Sequence, residues 1–209
     1  MSATATPYGF KPVNLIGGLP YAGSTRMFPI ASGTAVNIYC GSLVYVLATG
    51  YLSIVTATGA DATTNDFPTG STARTGAIGV FVGCSYTQPG TNQKIFSQYW
   101  PTGTVAADAV AYVIDDDRAV FQVQANGSVA IAKLGENVFL STAQTTSTGS
   151  TTTGNSTSAV SATSQAGSAA FRIVGFVDMV GFSTAGDAYT DILVKFNPGY
   201  HSYSCPIGL

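Results

Sequence analysis

The chain has 209 residues, of which 45% are hydrophobic and only 9% charged, with a formal net charge of −2 and a mean hydropathy of +0.28. Soluble domains ordinarily carry about 25% charged residues, so Ser, Thr, Gly, Asn and Gln supply the polarity here, and other subunits are expected to cover much of the folded surface. Eight basic residues scattered from Lys11 to Lys195 form no stripe for nucleic acid, and no apolar run approaches the ~20 residues of a membrane-spanning helix.

Residues 1–7 lack a basic region followed by an apolar stretch, so no secretory signal is expected. Residues 1–12, rich in Pro, Gly and aromatics, read as an N-terminal arm that could add a strand to a neighbour's sheet edge. Leu43-Val44-Tyr45-Val46-Leu47 and Tyr51-Leu52-Ser53-Ile54-Val55 flank Ala48-Thr49-Gly50, a three-residue hairpin loop with Gly at the left-handed position. Residues 77–86 form an apolar strand in which Gly79 and Gly83 predict a bulge or a close backbone approach. After the Pro89-Gly90 turn, residues 94–100 alternate, with Ile95, Ser97 and Tyr99 on one face and Phe96, Gln98 and Trp100 on the other.

Residues 110–114 and 119–124 flank Asp115-Asp116-Asp117-Arg118 and predict a second hairpin, with Phe121, Val123 and Ala125 on its buried face. Ser128 is placed to cap a single helical turn ending at Gly135. No charged residue occurs from Asn137 through Phe171, and residues 141–170 read as a long uncharged Ser/Thr/Gly-rich surface excursion, suited to lying on a neighbour. Residues 171–180 and 190–196 supply two further strands, and residues 198–209 a C-terminal tail. Many short strands, regular turns and no sustained 3.6-residue periodicity predict one all-β domain over residues 1–209. Its expected form is a β-sandwich or jelly-roll-like fold with extended N- and C-terminal arms and long loops.

The pattern of reactive residues points away from catalysis. Cys40, Cys84 and Cys205 are odd in number and widely spaced, which suits reduced thiols in a cytoplasmically assembled protein. His201, the single histidine, sits in the tail beside no fixed nucleophile. With Cys205 it makes at best half of a zinc site, so a docking role for the aromatic tail is preferred. Asp115, Asp116 and Asp117 could ligate a structural calcium, but lack the alternation of a calcium loop and read first as a solvated turn. Gly17-Gly18 precedes no Lys-Ser/Thr pair, so no phosphate cradle is expected. Trp100 and the eleven tyrosines fit a core or an interface. Their alternative use is a sugar-binding platform. No catalytic residue, cofactor or metal is predicted.

Several segments resemble a known family. Tyr8-Gly9-Phe10-Lys11-Pro12-Val13, followed by Gly23-Ser24-Thr25-Arg26-Met27-Phe28-Pro29-Ile30, is similar to the start of small head proteins of tailed bacteriophages. The same holds for residues 79–86, for Gln98-Tyr99-Trp100-Pro101 with residues 111–116, and for the ending, a strand over 191–196 followed by Asn197-Pro198 and a His/Tyr tail. The resemblance implies a capsid decoration, or cement, protein. Such a protein is a non-enzymatic sandwich or jelly-roll subunit made in the host cytoplasm and placed on the capsid exterior. It would bind the major capsid protein and copies of itself, as a homotrimer ahead of a dimer, with no nucleic-acid or membrane partner. The contact residues expected on the two arms are Tyr8, Phe10, Lys11, Pro12, Tyr200, His201 and Tyr203. Two features depart from the family: the length of the uncharged stretch, and Gly199-Tyr200 where acids are common. The competing readings are a glycan- or receptor-binding β module of a tail fibre or adhesin, and a glycan-cleaving enzyme with two facing carboxylates.

Overall fold

The structure is a computed structural model that describes residues 4–59, 76–164, 167–178 and 183–204. In chain order the strands are β1 (Lys11–Leu15), β2 (Arg26–Pro29), β3 (Ile38–Tyr39), β4 (Leu43–Val46), β5 (Leu52–Ile54), β6 (Gly79–Thr87), β7 (Lys94–Ser97), β8 (Tyr99–Trp100), β9 (Val110–Ile114), β10 (Ala119–Gln124), β11 (Asn137–Val138), β12 (Phe171–Phe176) and β13 (Asp191–Phe196). The helical elements among the described residues are two short 3-10 turns, Ile131–Lys133 and Ser202–Ser204. The protein is all-β.

Two antiparallel sheets make the sandwich. One runs β1-β10-β13-β12-β11; the other runs β2-β9-β6-β4-β5, with β7 also on β6. Between them lies a core built from Leu43, Val80 and Ile114 of the second sheet and Phe121, Val123, Phe171, Ile173, Ile192, Val194 and Phe196 of the first. Alternation explains the choice of residues: every second side chain of β10 and of β13 points inward. A second cluster, with Ile38, Val44, Phe81, Val113 and Trp100, fills the other face of the six-stranded sheet beneath the β3-β8 ribbon.

The β4-β5 hairpin forms with Gly50 at φ +82°, as the sequence predicts, and the two last predicted strands form as β12 and β13, which pair with one another. Gly79 and Gly83 also act as expected. A Cβ on Gly79 would overlap the Ile114 carbonyl oxygen, and β6 bulges against β9 between Phe81 and Gly83.

Other expectations are corrected. Residues 110–114 and 119–124 do not form a hairpin. β9 lies between β2 and β6 in one sheet, and β10 lies between β1 and β13 in the other. The Asp116 carboxylate accepts the Arg118 N–H (2.8 Å) and the Asp116 carbonyl accepts the Ala119 N–H (3.1 Å), turning the chain from one sheet to the other. The strand over 94–100 breaks at Gln98, where the Ser97 hydroxyl donates to the Tyr99 carbonyl (2.6 Å). Phe96 therefore stays 74% exposed while Trp100 is fully buried, although simple alternation puts them on one face. Ser128 caps nothing; its hydroxyl donates to Gly186 (2.8 Å), and the single turn starts after Ala130.

The two arms, so far as they are described, are parts of the fold. Phe10 is buried, its N–H donates to the Gly41 carbonyl (3.0 Å), and its ring lies 5.0 Å from Phe171. Lys11 and Pro12 belong to β1, which pairs with β10. At the other end, the Ala77 N–H donates to the Tyr200 carbonyl and the Ser202 N–H to the Ala77 carbonyl, both at 2.8 Å, which carries Tyr200 and His201 into the interior. The uncharged segment, so far as it is described, lies on its own domain. Gln144 is buried and donates to the Leu43 and Val55 carbonyls (2.9 and 3.0 Å) while accepting the Leu43 N–H (3.0 Å). Val160 exchanges backbone hydrogen bonds with Gln124 and Asn126. An uncharged side chain suits this task, because it meets buried backbone groups without the desolvation cost of an ion.

Candidate functional site

The surface feature with the clearest chemical character is the part of the six-stranded sheet that the other sheet leaves uncovered. Tyr112 and Ile114 share one face of β9, but Ile114 is buried in the inter-sheet core whereas Tyr112 is half-buried. Tyr112 pairs with Met27 on β2 and Gly83 on β6, and its hydroxyl donates to Ser85 (3.1 Å). Ser85 pairs in turn with Phe96 on β7. Cross-strand partners project to the same side, so Met27, Tyr112, Ser85 and Phe96 form one strip across four strands. Met27 is 68% exposed and Phe96 74%. A shallow groove of about 440 Å³ runs beside Phe96 and Tyr112, and its lining of Cys40, Val82, Gly83, Cys84, Phe96, Ser97, Gln98 and Tyr112 holds no charge.

Met27 and Phe96 present their side chains on the face of this sheet. At its edge β2 ends in Pro29, which has no N–H to offer a neighbouring strand.

The contact residues expected from the sequence lie elsewhere and are dispersed. The Tyr8 hydroxyl donates to Asp191 (2.9 Å), and Lys11 sits 4.2 Å from the Tyr8 ring centre; burial, reinforced by Asp191, pushes the Tyr8 phenol well above its ordinary pKa. Phe10, Tyr200 and His201 are interior. Tyr203 is 49% exposed, and its hydroxyl donates to Asp115 (2.8 Å) while accepting from Arg26 (2.6 Å). Arg26 closes the triangle with a 2.9 Å ion pair to Asp115. This cluster fastens the chain's last described turn to β2 and to the end of β9.

Asp115 and Asp116 thus have separate partners, and no group of three His, Cys, Asp or Glu is positioned for a metal among the described residues. Cys205, the other half of the considered zinc pair, lies outside them. His201 Nδ1 accepts the Tyr203 N–H (3.2 Å), and the ring makes edge contacts with Phe196 and Tyr203. Burial holds its pKa below the ordinary value, against the opposing pull of Asp117, Asp115 and Asp116. Cys40 and Cys84 are free thiols. Burial raises both, Cys84 to about 12, so neither supplies a thiolate near neutrality.

Compared with protein-family models, curated proteins and solved structures, the chain finds no match. The Met27–Tyr112–Phe96 strip was not singled out from sequence as a contact surface. The available signal was Phe96 itself, whose alternation with Ile95 is real and only its grouping with Trp100 misleading.

Proposed function

We propose that this protein is a structural subunit that decorates and stabilises the exterior of a tailed-phage icosahedral capsid. In this role it binds the major capsid protein and neighbouring copies of itself, as a trimer ahead of a dimer. The observation that carries the reading is the uncharged strip of Met27, Tyr112 and Phe96 on an exposed sheet face. Covering a Met or Phe side chain yields roughly 1.5–3 kcal/mol. A single copy would hold weakly by such a contact, but symmetry repeats it around a ring and then over a shell. The scarcity of ionic groups, 9% of the chain, fits a molecule that spends its life between protein surfaces.

The glycan-binding alternative loses its best residue, since Trp100 is fully buried and has no free face for a sugar. The deciding measurement is stoichiometry. Purified particles should contain the protein in numbers comparable to the shell protein, and heads stripped of it should rebind it from solution. A few copies per particle, or stripped heads that fail to rebind it, would overturn the reading.

A further inference from the structure

The outer face of the five-stranded sheet carries an arrangement that the proposed role does not require. Arg172 on β12 and Lys195 on β13 are direct cross-strand partners. Both point away from the core, since Phe171, Ile173, Val194 and Phe196 are the inward residues of the same strands. Directly paired residues stand about 4.5–5.5 Å apart at Cβ, and like charges so placed repel. Neither cation forms an ion pair with a described carboxylate. The described ion pairs are Arg26–Asp115, Lys94–Asp108 and Lys133–Glu136.

The guanidinium is also aimed. Arg172 Nε donates to Asn137 Oδ1 (3.2 Å). Asn137 is itself held, accepting from Asn197 Nδ2 (2.9 Å) and donating to the Gly167 carbonyl (2.7 Å), and Asn197 Nδ2 is anchored on the Ala169 carbonyl (2.8 Å). Beside Arg172 these groups border a pocket of about 180 Å³, lined also by Ser168, Pro198 and Tyr200. The guanidinium is thus held by its Nε edge, and Arg172 lines a cavity sized for one side chain.

We propose that Arg172 and Lys195 form a docking site for a carboxylate side chain presented by an acidic protein partner. A carboxylate between the two cations removes their repulsion and accepts charge-assisted hydrogen bonds from both. A protein is favoured over a polyanion because the site is a single pair flanked on its own strand by half-buried Leu193. Nucleic acid and sulfated glycans call for an extended run of cations.

The test needs neither phage nor capsid. Binding of a hexaglutamate peptide at low ionic strength is followed by NMR on the full chain, with inorganic phosphate and a heparin-derived oligosaccharide as competing probes. Hexaglutamate should shift the Arg172 side-chain resonance and bind more tightly than either competitor. Arg172→Gln and Lys195→Gln should each weaken it roughly tenfold, while Lys94→Gln, whose cation is paired with Asp108 on the other sheet, should bind as the wild type does. Lys195→Glu keeps the fold testable, because it converts the repelling pair into a cross-strand ion pair: its melting temperature should rise while binding disappears. Undiminished binding by the Arg172 and Lys195 variants, tighter binding of the oligosaccharide or phosphate, or a lowered melting temperature in Lys195→Glu would overturn the proposal.

Discussion

The two hydrophobic clusters are assembled in different ways. The cluster under the β3-β8 ribbon draws its buried residues from a compact stretch, Ile30 to Val113. The inter-sheet cluster reaches from Phe10 to Tyr200 and uses both ends of the described chain. Phe10 lies edge-on to Phe121 at 6.3 Å, and His201 closes the opposite end against Phe196 at 5.2 Å. One core is therefore local in sequence, while the other is complete only when the termini are home.

The sharpest way to break that comparison is truncation. Removing residues 1–12 deletes Phe10 and the start of β1; removing residues 198–209 deletes Tyr200 and His201. Free arms, as the sequence suggests, would let either truncation spare the sandwich. The burial of these residues predicts instead that each costs more than the about 3–5 kcal/mol of a single Phe→Ala core substitution, read from urea unfolding. Unchanged unfolding midpoints would return the ends to the status of free arms. Next in size is Trp100→Ala in the local cluster, at about 3–5 kcal/mol. Hydrogen exchange should then show protection lost first in β3, β6 and β8, with β10 and β13 holding longer. Uniform loss over both sheets would show the clusters to be one cooperative unit.

A smaller effect concerns the C-terminal end alone. His201 is the chain's single histidine, and burial depresses its folded-state pKa. The unfolded chain therefore takes up the proton first, at its ordinary pKa of about 6.5. Stability is complete above that pH and is lost as pH falls through it toward the lower folded value. The melting temperature should fall between pH 7 and pH 5 in the wild type, and this slope should flatten in His201→Gln. Asp108 and Glu136, whose pKa values are lowered mainly by hydrogen bonds from Lys94 and Ser164 respectively, act at more acidic pH and leave the window clear. An equal slope in both proteins would remove His201 as its source.

Particular residues show what was legible in advance. Gly79 and Gly83 announced a close approach because only glycine leaves room for the carbonyls that press on them. The partners of residues 110–114 and 119–124 were not legible. Both segments are apolar strands joined by a short polar turn, and nothing local distinguishes a hairpin from a crossing between sheets. Phe10 and Tyr200 were misplaced because few charges, Pro, Gly and aromatics describe an edge strand as well as a free arm. Gln144 was hidden in a segment that composition alone reads as linker, its role depending on carbonyls about a hundred residues earlier in the chain. Of the candidate contact surfaces, Phe96 could be seen as half of an alternation. Its joining with Met27 through Tyr112 exists only once β2, β9, β6 and β7 lie side by side.

The smallest expected change in stability is the most informative about assembly. Met27 and Phe96 are 68% and 74% exposed, so Met27→Ser and Phe96→Ser should alter unfolding free energy by no more than about 0.5 kcal/mol, as surface substitutions do. A strip that meets another copy or a shell gives the opposite result in association. Each substitution should shift sedimentation toward the monomer or lower occupancy on stripped heads, and the double variant should do both more strongly. A Phe96→Ser protein that loses about 2 kcal/mol or more of stability would show that the strip is finished within the monomer. One that folds, sediments and binds heads as the wild type does would show that contact is made elsewhere. The two readouts separate because a residue exposed in the free subunit and covered in the assembly contributes only to the second.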